Sequence, residues 1–389
     1  MERQILHLNI AHFMAAVEEL LDPSLRGRPF VLAPHGAERA VAVEVSRTAF
    51  REGLRRGMPL DHIRRVVPGV RVLPVREAVY RKAGAELYET AARFSPLLES
   101  PGGGHLFVDI TGTRRLFGHP VDCAARLREE AVRRSGLRPV AGLAVNRLVS
   151  KIGTRVVKPD GFVVIAPGDE RGFLRRQEVS LLPGVGAGLL ERLGLLGIRE
   201  IGELASLTDA DAAAFLGRHG PLLRDRARGI DTAPSPARRP GGQSIRASRL
   251  FDTDTNDAAV LEAALRGIVE DAGVLLRTDG LAARRVEVAL SYSDRLRARG
   301  AETLTAPAWR DAELFEASRA ALYRGMTRRV RVRRLSVVLS LLAPAVRQAE
   351  LFTPPEILKG EALQGAIDSI RRRYGREAVL VASAMRPRA

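Results

Sequence analysis

HLFVDITGTRRLFGHPVDCAARLREEAVRRSGLRPVAGLAVNRLVSKIGTRVVKPDG (105–161) carries the reading of the fold. HLFVDITGT (105–113) reads as a strand running into a turn, and PVDCAARLREEAVRRSG (120–136) as a helix. PVAGLAV (139–145) is a second strand, and NRLVSKIGTRVV is helical up to a stop at Lys158-Pro159-Asp160-Gly161. Strands alternating with helices of this length predict a mixed α/β sheet unit. Upstream, ILHLNI (5–10) reads as a short buried strand followed by a helical stretch from Ala11 to Leu21. Strand-like VLAP (31–34) and AVAVEVS (40–46), a basic turn REGLRRGMP (51–59) and an amphipathic helix over 78–94 complete that half.

Downstream the pattern changes. Residues 170–230 are mostly helical around LPGVGAGLLERLGLLGIREIGEL (182–204), and TAPSPARRPGG (232–242) reads as a linker. A second α/β unit follows, with helices over 257–276 and 311–325 and strands RRVEVALSYS (284–293) and VRRLSVVLSLL (332–342). The 389 residues carry 62 Lys+Arg against 45 Asp+Glu, a formal charge of +17, which favours a polyanionic partner through counterion release. Cys123 is the single cysteine, which excludes an internal disulfide and a Cys-based zinc cluster. The N-terminus lacks the features of a secretory signal, and no apolar run has membrane-spanning length, so a soluble, cytoplasmic protein is expected.

Some stretches carry chemistry. In LPGVG (182–186), Gly184, Val185 and Gly186 form a Pro-Gly hairpin of the helix-hairpin-helix kind, where bare backbone can approach a DNA phosphate. RGMTRRVRVRR (324–334) would place Arg329, Arg331 and Arg333 on one strand face, suited to a phosphate row. QAELF (348–352) offers Gln348, Leu351 and Phe352 as anchors for a hydrophobic groove. His7, His12 and His105 show no ligand spacing and read as core or surface histidines.

In this order, the pieces resemble the Y-family (lesion-bypass) DNA polymerases of the DinB/UmuC group. GLRRGMP (53–59) is similar to the end of that family's fingers motif, and GLAVNRLVSKIGTRVVKPDG (142–161) to its palm helix. RDRARGIDTAP (224–234) resembles the thumb end, and QSIRASRLFD (243–252) the opening little-finger strand with Ser244, Arg246 and Arg249 toward DNA. QAELF resembles the peptide that docks on the polymerase III β sliding clamp, and ALQGAIDSIRRRYGREAV (362–379) a UmuC-type tail. The resemblance implies an α/β (α+β) multidomain right hand. Its parts would be a palm (1–10 and 75–165), fingers (11–74), a thumb (166–233), a linker (234–242), a little finger (243–344) and a tail (345–389).

The sequence departs from the family where that chemistry resides. Asn9 and Ala11 stand at the acids of the first palm strand, and Gly104 and His105 at the Asp and Glu of the second metal-binding hairpin. Asp109 matches a family aspartate that is not a metal ligand. Arg47 and Phe50 align with the fingers Tyr and Arg, Met14 with the aromatic residue that excludes ribonucleotides, and Lys158 keeps the triphosphate lysine. Mg²⁺ prefers charged oxygens, which these positions no longer supply. The resulting expectation is a non-catalytic homologue without cofactor, similar in kind to ImuB-like accessory proteins. It would bind primer–template DNA, the clamp and another polymerase. The alternative is an active polymerase with Mg²⁺ on unorthodox ligands, for which Glu18, Glu44 and Asp109 are the nearby acids. A hydrolytic site on His7, His12 and His105 is a third, weaker reading, because no nucleophile accompanies them.

Overall fold

A computed structural model describes residues 2–34, 40–232, 244–345, 355–374 and 378–379. The chain divides into two compact units, the first of residues 1–35 and 41–238 and the second built on 239–389.

The first unit holds strands β1 (Ile5–Asn9), β2 (Phe30–Ala33), β3 (Glu44–Val45), β4 (Arg71–Pro74), β5 (Leu98–Gly102), β6 (His105–Asp109), β7 (Val140–Ala144) and β8 (Phe162–Val164). A five-stranded sheet has the order β5-β6-β1-β7-β8, and a smaller one the order β3-β2-β4 with β2 and β4 parallel. β1 runs antiparallel to both β6 and β7, which makes it the centre of the larger sheet.

Alternation along β1 sorts the faces. Leu6 and Leu8 join Leu106, Val108 and Leu143 in a core closed by Leu87 and Leu127 of the Glu77–Ala92 and Pro120–Ser135 helices. His7 and Asn9 point the other way, opposite Phe107 and His105 of β6. The Arg147–Val156 helix lies on that second face. It starts where the Asn146 side chain accepts the Val149 N–H at 2.9 Å, an N-cap that satisfies an otherwise orphaned donor. Gly142 of β7 lets this helix approach closely, since a Cβ there would lie 2.4 Å from the Ser150 carbonyl oxygen.

Short helices over 170–227 continue the unit, packing Leu174, Leu193, Ile201, Leu204 and Leu223 together with Val149 and Ile152.

The second unit is a sheet of β9 (Ile245–Thr255), β10 (Leu281–Tyr292), β11 (Arg297–Ala308) and β12 (Val332–Pro344), ordered β11-β10-β12-β9 and antiparallel throughout. The helices Ala258–Thr278 and Asp311–Gly325 bury Leu265, Ile268, Leu314 and Phe315 against Val286, Val288, Leu335 and Val337. Arg277 binds Asp311 at 2.7 Å and Asp368 at 2.6 Å, and Arg371 binds Glu270 at 2.9 Å, which fixes the Pro355–Tyr374 helix by buried ion pairs.

The α/β multidomain expectation agrees with this architecture. β11 has no counterpart in the sequence reading, because RARGAETLTAPA is an edge strand with mostly exposed or half-exposed residues and no apolar run.

Candidate active site and nucleic-acid interface

The β1–β6 pairing sets Asn9 directly opposite His105, while the Ile10 N–H donates to the Gly104 carbonyl oxygen at 2.9 Å. Gly104 has φ +78, and a Cβ there would come within 2.8 Å of the Phe13 side chain. The three positions singled out from the sequence, Asn9, Gly104 and His105, therefore meet at the end of one strand pair. His7 lies one strand step inside them and is fully buried.

A chain of hydrogen bonds fixes the histidines. The Thr154 hydroxyl donates to the Lys151 carbonyl oxygen at 2.8 Å, so it accepts from His7 Nδ1 at 2.8 Å. His7 Nε2 is then an acceptor and takes the Nδ1–H of His105 at 3.1 Å, with the two rings stacked 5.2 Å apart. Burial and the neighbouring charges of Lys151, Lys158, Arg155 and Arg56 bring the His105 pKa down to about 4. Burial, then His105, pull the His7 pKa well below the usual imidazole value, so both rings are neutral at pH 7. His12 stands apart from this pair, with its ring 5.3 Å from Phe50 and its Nδ1 3.7 Å from Glu44.

The nearby acids are committed elsewhere. Glu18 accepts from Arg76 Nε at 3.0 Å and from the Tyr80 hydroxyl at 2.5 Å, and burial raises the Tyr80 pKa to about 12. Glu44 accepts from Arg56 Nε at 2.6 Å. Asp109 accepts the Thr111 N–H at 2.9 Å, four residues and about 13 Å along β6 from His105. Asn9 is 2% exposed, and its Nδ2, a donor, has no partner. Among the described residues no three His, Cys, Asp or Glu side chains gather as a metal site. The side chains at the Asn9–His105 end of this strand pair thus do not fit a pair of Mg²⁺ ions held by carboxylates.

Lys158 follows the Arg147–Val156 helix and is exposed. Arg47 is exposed on the short Arg47–Arg51 helix. Phe50 lies under the Arg55 guanidinium, 4.0 Å from the ring centroid. Met14 packs against the core of the first sheet.

Gly184 and Gly186 form an exposed turn into the Ala187–Leu195 helix, and Val185 is half-buried between them. Gly184 has φ +106, and a Cβ there would press on Arg226 and Leu223 at 3.0 and 3.1 Å.

The basic run is arranged differently from the expected strand row. β12 begins at Val332, so Arg329 and Arg331 precede it, and Arg333 pairs with Asp254 at 2.9 Å. Register instead gathers other arginines. Arg246 lies opposite Val338, Arg285 opposite Ser340 and Thr303, Arg334 opposite Leu250 and Ser291, and Arg299 opposite Ala289. All four are exposed, and by alternation they share the sheet face turned away from the two helices. Arg249 falls on the helix side at the edge, opposite the buried Leu335, while Ser244 is exposed just ahead of β9. Sequence reasoning missed Arg285 and Arg299, whose only signal is their place in weakly alternating strands. Gln348, Leu351 and Phe352 lie outside the described residues.

Comparison with known proteins adds the family. The impB/mucB/samB family model matches residues 8–155, and the model of its C-terminal domain matches 242–351. DNA polymerase IV of Halorhodospira halophila is 32% identical over 90% of this chain and 98% of its own length. DNA polymerase IV of Caulobacter vibrioides is 30% identical over 99% of this chain and 94% of its own. Among solved structures, a Y-family DNA polymerase chimera of Dbh and Dpo4 superposes with a TM-score of 0.75 at 20% identity, covering 87% of this chain and 98% of that one. Dbh DNA polymerase in an insertion ternary complex gives 0.65 with the same identity and coverage.

These relatives correct the expectation of a non-catalytic accessory chain. Likeness over nearly the full length is to proteins named as polymerases, which are enzymes. The expectation of no cofactor is corrected with it, because polymerases need divalent metal ions. Physically, the lost carboxylates exclude one ligand set and leave the right-hand scaffold and the cations beside it in place. The chain belongs to the impB/mucB/samB family, the Y-family DNA polymerases.

Proposed function

We propose that the chain is a template-directed DNA polymerase of the translesion class, acting on primer–template DNA. The observation that carries this reading is the match to a protein named DNA polymerase IV over 90% of this chain and 98% of that one. The arrangement of charge supports it. The open face of the second sheet presents Arg246, Arg285, Arg299 and Arg334 to solvent, and a duplex neutralising them releases counterions. The Gly184–Gly186 turn offers bare backbone and the N-terminus of the Ala187–Leu195 helix to a further phosphate. Arg329, Arg331 and Ser244 add exposed polar groups to this DNA-binding set. Lys158 is assigned to the incoming triphosphate.

QAELF (348–352) is the proposed contact to the sliding clamp, supported by its sequence alone. Replacing Leu351 and Phe352 with Ala is expected to abolish clamp binding in a pull-down and leave the DNA gel shift unchanged. Loss of both together would remove the assignment. No helix among the described residues is long and apolar enough to cross a membrane. The bacterial nucleoid is the proposed place of work, on the reading of the chain as a DNA polymerase.

The test of the polymerase reading is primer extension on a recessed template with Mg²⁺ or Mn²⁺. The control is a variant carrying Arg246→Glu and Arg299→Glu. Extension that falls with the variant supports the reading, and extension equal in both exposes a contaminating polymerase.

A further inference from the structure

The first sheet carries a disagreement between scaffold and side chains. Where ions would sit between carboxylates, the described residues present a buried amide donor without a partner, Asn9 Nδ2, beside a neutral histidine pair. The cations nearby include two lysines that form no hydrogen bond or ion pair with a carboxylate among the described residues, Lys151 and Lys158. Their charges reach His105, as do those of Arg155 and Arg56. These two arginines are already engaged, Arg155 with the Leu181 carbonyl oxygen at 2.6 Å and Arg56 with Glu44. Lys151 is half-buried, and burial first, then the charges of Arg155 and Arg147, pull its pKa below the ordinary lysine value. A divalent cation added to this group meets repulsion, and the acid whose charge reaches Lys158, Glu44, is already held by Arg56. An oxyanion meets two ammonium groups and a free N–H, all of them donors.

We infer that the centre of the first sheet is an oxyanion site, where Asn9, Lys151 and Lys158 take the phosphates of a nucleotide directly, without carboxylate-held metal ions between them. The inference rests on the reading of the chain as a nucleotide-using polymerase, and it deepens that reading by naming what the palm centre binds. The ammonium groups of Lys151 and Lys158 would then balance the triphosphate charge in place of bound ions.

The experiment is calorimetric titration of the full chain with inorganic tripolyphosphate and, separately, with dATP, each in EDTA and in Mg²⁺. Both ligands are expected to bind in EDTA with affinities within about threefold of those in Mg²⁺. The double variant Asn9→Asp, His105→Glu, which restores acids, is expected to lose at least about tenfold in EDTA and to regain binding with Mg²⁺. His105→Glu alone and Lys151→Ala, both at less buried positions, are expected to weaken binding in EDTA in the same direction. In the unaltered protein the ring resonances of His7 and His105 should shift with tripolyphosphate, and those of the distant His119 and His219 should not.

Binding that requires Mg²⁺ would overturn the inference, as would an unchanged affinity in the variants. Binding of dATP but not tripolyphosphate in EDTA would place recognition on the nucleoside and overturn it as well. Primer extension separates the two claims. A chain that binds tripolyphosphate in EDTA but extends no primer keeps the anion site and loses the polymerase reading. A chain that extends primers but binds nucleotide only with Mg²⁺ does the reverse.

Discussion

His105 shows what one substitution does to a site. An imidazole at the end of β6 donates to His7 and is pushed toward its neutral form by burial and four cations, so its pKa lies near 4. In the unfolded chain the same ring protonates near the ordinary imidazole value of 6.5. Between those values the unfolded state binds more protons, so stability falls as pH drops from 6.5 to about 4. The urea midpoint should decline across that window, and less steeply in His105→Gln. Equal slopes in the two proteins would mean that the ring is not buried as described. That Asn9, Gly104 and His105 come together was legible in the sequence, because strand pairing preserves the order of the motif. The Thr154–His7–His105 chain was not, since it joins residues up to 147 positions apart through a helix packed across the sheet.

At the level of elements, the contact between β7 and the Arg147–Val156 helix holds that chain together. Gly142 has room for hydrogen only, with the Ser150 carbonyl oxygen 2.4 Å from where a Cβ would be. Gly142→Ala is expected to cost about 1–3 kcal/mol in denaturant unfolding, as overpacking does, and to move the ring resonances of His7. An unperturbed stability would show that the helix is free to retreat. The long periodic helices were readable, and the Asp311–Gly325 helix has the bounds its sequence predicts. β11 and β4 were not readable, because short or edge strands rich in exposed residues lack the apolar alternation that identifies a strand. The expected row of Arg329, Arg331 and Arg333 failed for a related reason. Period-two spacing does not reach back before the start of β12, because the strand begins at Val332 and its register shifts between Val332 and Arg334.

For the whole molecule, the charge of +17 predicted a polyanionic partner but not where it would bind. Register shows that the open face of the second sheet collects arginines from each of its strands. Reversing Arg246 and Arg299 to Glu is expected to weaken primer–template binding by about tenfold or more for any sequence. It should also flatten the dependence of affinity on salt. A shift confined to one sequence, or none, would move the interface elsewhere. The overall architecture was legible through family motifs spread along the chain. Missing acids do not entail missing activity, because carboxylates can be absent at Asn9, Gly104 and His105 while the scaffold, the lysines beside it and the likeness to named polymerases persist.

The most direct test of that conclusion is primer extension by the purified chain with all four deoxynucleotides and Mg²⁺ or Mn²⁺, set beside the Arg246→Glu, Arg299→Glu protein. Template-directed addition that fades with the charge reversals is the predicted result. A primer that stays unextended while the same preparation shifts it on a gel would contradict the polymerase reading.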